Sequence, residues 1–137
     1  MAEKIRVLFL CVANAARSQL AEALLRHTDA ERFAAFSAGS RPGAVDPRTL
    51  EALRHVGVDA EGLRSKSVDE LKGERFDYVI TLCDQAAGEC QALPGAGEVL
   101  AWHFEDPATS GRPEAFRHTL HEIHERIKMF VLVKTKH

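Results

Sequence analysis

Apolar positions along the chain fall into short blocks separated by amphipathic stretches. Residues 5–10 (Ile-Arg-Val-Leu-Phe-Leu) form a compact apolar run that predicts a buried strand. Similar runs at 33–37, 76–82 and 99–102 predict three more, the second closed by Ala38-Gly39-Ser40. Between them the period lengthens. Leu20, Ala21, Leu24 and Leu25 share one face of a helix opened by residues 17–19. Leu50, Leu53 and Val56 mark a second helix. Asp46 caps it, Pro47 suits its first turn and Gly57 ends it. A short helix is expected at 68–71 and a turn at Gly95-Ala96-Gly97. Phe116, Leu120, Ile123 and Ile127 predict a long C-terminal helix beginning near Pro113. Strands alternating with helices imply right-handed crossovers. The expected class is therefore α/β, with a four-stranded, mostly parallel sheet and helices on both faces in three layers. No repeat or linker interrupts the pattern, so residues 1–137 read as a single domain.

Composition narrows the function. The 137 residues are 45% hydrophobic and 28% charged, which suits a soluble globular chain. Eighteen basic residues face 20 acidic ones, so a nucleic-acid partner is not expected. No apolar run reaches membrane-spanning length, and no export signal is expected at the start. Three cysteines, Cys11, Cys83 and Cys90, are too few and too odd for a disulfide framework. A reducing cytoplasm is the expected setting, and a monomer the expected state.

Candidate chemistry gathers at the carboxyl ends of the predicted strands, where parallel sheets bind ligands. Cys11 ends the first strand, Cys83 follows the third, and Asp106-Pro107 follows the fourth. Cys11-Val12-Ala13-Asn14-Ala15-Ala16-Arg17-Ser18 is a Cys-x5-Arg-Ser loop between a strand and a helix. Its small residues let successive N–H groups turn inward as an anion nest at a helix N-terminus. Arg17 is placed to grip an oxyanion through two donors. A thiol at the base of such a ring has its thiolate favoured, which predicts a nucleophilic Cys11. Ser18 is a candidate donor to that thiolate, and Asn14 a brace for the loop. Taken singly, Cys83 and Cys90 also read as ordinary small hydrophobes, and Asp106-Pro107 as a turn. The histidines at 118, 121 and 124 lack the spacing of a zinc site. No metal or cofactor is expected.

These motifs resemble the low-molecular-weight protein tyrosine phosphatases and the arsenate reductases built on that fold. The likeness rests on Val7-Leu8-Phe9-Leu10-Cys11, Asn14, Arg17-Ser18, Ser37-Ala38-Gly39 and Asp106-Pro107. It implies Cys11 as nucleophile, Arg17 with the loop residues 12–18 as oxyanion site, and Asp106 as general acid. The stretch from Thr81-Leu82-Cys83 to Glu89-Cys90, with Trp102-His103-Phe104-Glu105-Asp106-Pro107, resembles the thioredoxin-coupled reductases. That likeness implies arsenate as substrate, phosphate or sulfate as competing anions, and thioredoxin as reductant. It also implies a relay in which a Cys11–Cys83 disulfide becomes Cys83–Cys90. A phosphatase acting on phosphotyrosine is the alternative, and a non-catalytic oxyanion sensor a third reading. Many members carry Gly where this chain has Ala13, which would impose strain if that position needs positive φ. Some relatives hold potassium through an Asn, a Glu and a Ser. Asn14, Glu22 and Ser37 match, but Ser65-Lys66-Ser67 brings no Asp, so potassium is not assigned.

The implied second disulfide has a geometric cost. Were 83–90 helical, the cysteines would stand about 10 Å apart along the axis, whereas a disulfide needs Cα atoms within roughly 7 Å. The segment is therefore expected to unwind on oxidation, with Gly88 easing the change. Hydrogen exchange should show weaker amide protection across 83–90 in the oxidised than in the reduced protein; equal protection would refute the switch.

Overall fold

A computed structural model of the chain describes residues 4–71, 73–82, 96–109, 111–112 and 114–135. The elements run β1 (Ile5–Cys11), α1 (Arg17–Asp29), β2 (Phe33–Gly39), α2 (Pro47–His55), a 3-10 turn (Val68–Leu71), β3 (Phe76–Thr81), β4 (Ala96–Ala101), a second 3-10 turn (Pro107–Thr109) and α3 (Ala115–Thr135). The sheet order is β2-β1-β3-β4, and every described ladder is parallel. Chain direction reverses across the sheet at β1. It steps from β1 outward to β2, then returns past β1 to β3. This is the switch point at which parallel sheets open a crevice beyond their carboxyl ends.

Side-chain alternation along β1 explains the layers. Val7 and Phe9 point into the larger core with Leu20, Leu24, Leu53, Ile123 and Ile127. Leu8 and Leu10 point to the other face, against Phe76, Val79 and the Val68–Leu71 turn. Because both faces are covered, β1 is apolar almost throughout. The four C-terminal residues read from the sequence, Phe116, Leu120, Ile123 and Ile127, are all buried, and Phe130 and Val131 extend the stripe. Phe130 meets Phe33, Tyr78 and Trp102 in one aromatic group.

The helix signals hold locally. Asp46 accepts the Arg48 N–H as the α2 cap, with Pro47 at its first turn. Gly57 adopts φ 76°, and the N–H groups of Gly57 and Val58 return to the carbonyls of Arg54 and Leu53. That is the glycine-closed helix end expected from the sequence. The turn expected at residues 95–97 is corrected: β4 begins at Ala96, three residues before the predicted start of the strand. Gly97 is a strand residue because the backbones crowd there. A Cβ on it would lie 2.6 Å from the Asp77 carbonyl oxygen.

Ile123 is fully buried between α3 and the sheet core. Ile123→Ala should lower unfolding free energy by about 2–5 kcal/mol in urea melts; a loss below about 1 kcal/mol would mean the α3 stripe is not part of the cooperative core.

Candidate active site

The loop after β1 is shaped by what its carbonyls do. Val12 O accepts from Arg41 N at 2.9 Å, and Ala13 O from Gly43 N at 3.2 Å and Ser65 Oγ at 3.0 Å. Asn14 O accepts from Gln19 Nε2 at 2.9 Å. Ala15 O accepts from Asp46 N and Thr49 Oγ1, both at 3.0 Å. In a trans peptide the following N–H points the opposite way. The amides of residues 13–16 therefore turn away from these six outer donors, toward the inside of the ring. The α1 N-terminus adds to this: its cap residue Ala16 makes no side-chain capping bond. Its first N–H groups are left for an external acceptor, as at an anion site. The α2 N-terminus differs, since Asp46 already fills it.

Asn14 makes the tight curl possible. It is the one non-glycine at positive φ, 51°, among the described residues. Asn tolerates this left-handed geometry better than most side chains. Ala13 is not in that region, so its replacement of the more usual Gly carries no strain. Asn14 is fully buried behind the loop. Its Nδ2 donates to Ser18 Oγ at 2.8 Å, and its Oδ1 accepts from Lys66 N at 2.9 Å. Ser18, also buried, thus accepts from Asn14 and keeps its own hydrogen to donate. Gln19 Nε2 donates to Arg64 O at 2.9 Å as well, tying the loop to residues 64–66. From the β2 side, Gly39 comes so close that a Cβ would lie 2.4 Å from Val12 O.

A cavity of about 350 Å³ opens over this ring, lined by Cys11, Ala13, Ala16, Arg17, Asp46 and Asp106 among others. Cys11 lies at its base, 5% exposed, at the end of β1. Arg17 opens α1 and crosses to the fourth strand's exit, where Nη1 donates to Phe104 O at 2.9 Å. Its buried Nε has no acceptor among the described residues. Nη2 lies 3.8 Å from Asp106 Oδ2, too far for a hydrogen bond. One corner of the guanidinium is thus anchored, and the Nε–Nη2 edge is the fork left for a tetrahedral anion. Asp106 is held at the rim, with Oδ1 accepting from Ala108 N at 3.0 Å. The structure therefore brings Cys11, the loop, Arg17 and Asp106 to one cavity. Cys83 and Cys90 lie outside the described residues. The last described residue before Cys83 is Leu82, whose N–H donates to Leu10 O at 2.9 Å.

Asp46, Thr49, Ser65 and Gln19 were not singled out as site residues in the sequence. Asp46 was legible only as a helix cap. The others are polar residues whose partners lie on distant loops, which periodicity does not reveal.

The residues matched to a potassium site do not fit a bound cation. Glu22 Oε2 accepts from Arg26 at 2.8 Å, and Oε1 from Ser37 Oγ at 2.6 Å. Lys66 Nζ stands 3.8 Å from the same Oε1. Two side-chain cations already face this carboxylate, and a third positive charge would be repelled. Burial holds the Lys66 ammonium below its usual pKa, against the pull of Glu22.

Removing the brace behind the loop should be costly. Asn14→Ala loses one buried and one partly buried side-chain hydrogen bond and places Ala at positive φ. The expected loss is about 2–4 kcal/mol in denaturant melts, together with weaker phosphate protection of Cys11 from alkylation. A variant as stable as the parent would show that the left-handed turn needs no support.

Comparison with known proteins agrees with this geometry. The model of the family "Low molecular weight phosphotyrosine protein phosphatase" matches residues 6–136. An arsenate reductase of Halalkalibacterium halodurans is 35% identical over 129 residues, covering 90% of this chain and 93% of that one. The solved arsenate reductase from Archaeoglobus fulgidus is 36% identical with a TM-score of 0.78, covering 91% of this chain and 98% of that one. A thioredoxin-dependent arsenate reductase of Corynebacterium glutamicum is 32% identical with a TM-score of 0.75, over 97% of this chain and 63% of that one. An inward-facing amide ring after β1, a cysteine at its base and an arginine fork above it are thus joined to likeness over nearly the whole length, and the chain belongs to the low-molecular-weight phosphotyrosine protein phosphatase family.

Proposed function

We propose that this protein reduces arsenate to arsenite through Cys11, Cys83 and Cys90, with thioredoxin as the reductant and the cytoplasm as its setting. The observation that carries the reading is the strand register at the site. Leu82 N–H bonds Leu10 O, so the residues directly preceding Cys83 and Cys11 in the chain are hydrogen-bonded neighbours. The relatives named arsenate reductase support the same choice.

Arsenate binds with its oxygens on the amides of residues 13–16 and on the Nε–Nη2 edge of Arg17. Phosphate and sulfate compete because the ring reads tetrahedral shape and charge. Cys11 Sγ attacks arsenic, and Asp106 gives a proton to the departing oxygen, which leaves as water. Cys83 then attacks Cys11 Sγ. The arsenic–sulfur bond breaks, arsenic keeps the electron pair and leaves as arsenite, and the two sulfurs are oxidised to a disulfide. Cys90 attacks Cys83 Sγ and releases Cys11. The dithiol of thioredoxin reduces the Cys83–Cys90 bond by exchange.

A phosphatase would use the same Cys11, Arg17 and Asp106. The cavity walls favour the smaller substrate. Its described lining residues include Ala13, Ala15, Ala16 and Ala108, whereas the rings of His103 and Phe104 line the adjoining cavity that shares Arg17 and Asp106.

With thioredoxin, its reductase and NADPH, arsenate should drive NADPH oxidation. Cys11→Ser, Cys83→Ser and Cys90→Ser should each cut turnover at least 100-fold, on the order of a lost nucleophile. Robust aryl-phosphate hydrolysis without any arsenate turnover would overturn the proposal.

A further inference from the structure

Asp46 presents a problem of charge. Asp46 lines the cavity shared by Cys11 and Arg17, where its negative charge would repel an incoming anion, and Asp106 is a second acidic residue on the same wall. Capping does not require that charge, since Asn caps a helix as well as Asp does. The answer lies in the first turn of α2. Arg48 Nε and Nη2 approach the two Asp46 oxygens at 3.1 and 2.9 Å, and Arg48 N donates to Oδ1 at 2.9 Å. This hydrogen bonding holds the Asp46 carboxyl below its usual pKa, so it is ionised at neutral pH. The guanidinium itself is fixed by a second contact, lying 4.6 Å over the Phe116 ring of α3. Its positive charge also acts on Asp106. Beyond it a smaller cavity of about 220 Å³ is lined by Arg48, Arg112 and Arg117 with Glu51.

We propose that the Asp46–Arg48 pair determines how strongly the site takes a small inorganic oxyanion: Arg48 cancels the carboxylate on the pocket wall and keeps the rim attractive to a dianion. The pair acts on binding rather than on bond making. Asp46 keeps its backbone role throughout, since its N–H holds the Ala15 carbonyl outward and so aims the Ala16 amide into the ring. The inference rests on the oxyanion-site reading given above and assigns the residues that set its charge.

The test compares alkylation of Cys11 by anionic iodoacetate and neutral iodoacetamide, on protein first held reduced and then freed of reductant. The Cys11 peptide is quantified by mass spectrometry. The ratio of the two rates reports the potential in the pocket, because changes in thiol reactivity or access affect both reagents. Arg48→Met keeps the aliphatic stem on Phe116 and leaves Asp46 uncompensated. It should lower the ratio about three- to tenfold at low salt, with a smaller drop at high salt. Adding Asp46→Asn to Arg48→Met should restore the ratio to within about twofold of the parent, the span of a screened surface charge. A merely structural role for the pair predicts no such rescue. The KM for arsenate should rise in the single variant and fall back in the double. An unmoved ratio in Arg48→Met, or a double variant as low as the single, overturns the proposal. Parent protein that fails to reduce arsenate while the ratios behave as stated removes the reductase reading and leaves the charge pair standing.

Discussion

The site depends on where four carbonyls point. A ring of amides attracts an anion only while its carbonyl oxygens are held outward, and each of Val12, Ala13, Asn14 and Ala15 has a donor on the outside. Those donors come from the β2–α2 connection, from Thr49 of α2, from Ser65 and from Gln19 of α1. The loop has no helix or strand of its own to fix it. Its shape is imposed by surrounding segments, each contributing a hydrogen bond that would be expensive to leave unmade in a buried setting. Asn14 is the hinge of this arrangement, with its side chain spent on Ser18 and Lys66 and its backbone in the left-handed region.

The two helix N-termini near the cavity show how one physical feature serves two ends. At α1 the first amides are left without a side-chain cap, beside the cavity over the loop. At α2 the same kind of terminus is closed by Asp46, which turns a potential second anion site into a wall. Arg48 then offsets the charge that this closure brings to the pocket. Behind the loop, the Glu22 cluster is balanced in the same way, by Arg26 and Lys66 rather than by a bound metal.

Much of this was legible in the chain. A continuous apolar run located β1, period-3.6 patterns located α1, α2 and α3, and the Cys-x5-Arg-Ser spacing located the loop after β1, because these signals are local. The β4 start was misread because Gly97 carries two meanings. Glycine marks turns, but it also marks places where neighbouring backbones crowd, and only the partner strand tells which applies. Asp46 was read as a cap and is one, yet its place on the pocket wall depends on how α2 lies against the β1 loop. Arg17 was expected to grip an oxyanion. That Phe104 O would anchor one corner of its guanidinium is a contact 87 residues away in sequence, beyond any local pattern.

That anchor has a consequence for how the molecule comes apart. β4 is one of the sheet's two edge strands, paired only with β3 among the described residues, and Phe104 lies just beyond it. Edge elements open at lower free energy than the whole domain. When β4 frays, Arg17 loses the carbonyl that sets its fork, and Asp106 leaves the rim with it. The central strand, α1 and the amide ring can remain folded in that state. The site is therefore divided between a central strand and an edge, and the amide ring can outlast the guanidinium fork and the rim carboxylate that stand over it.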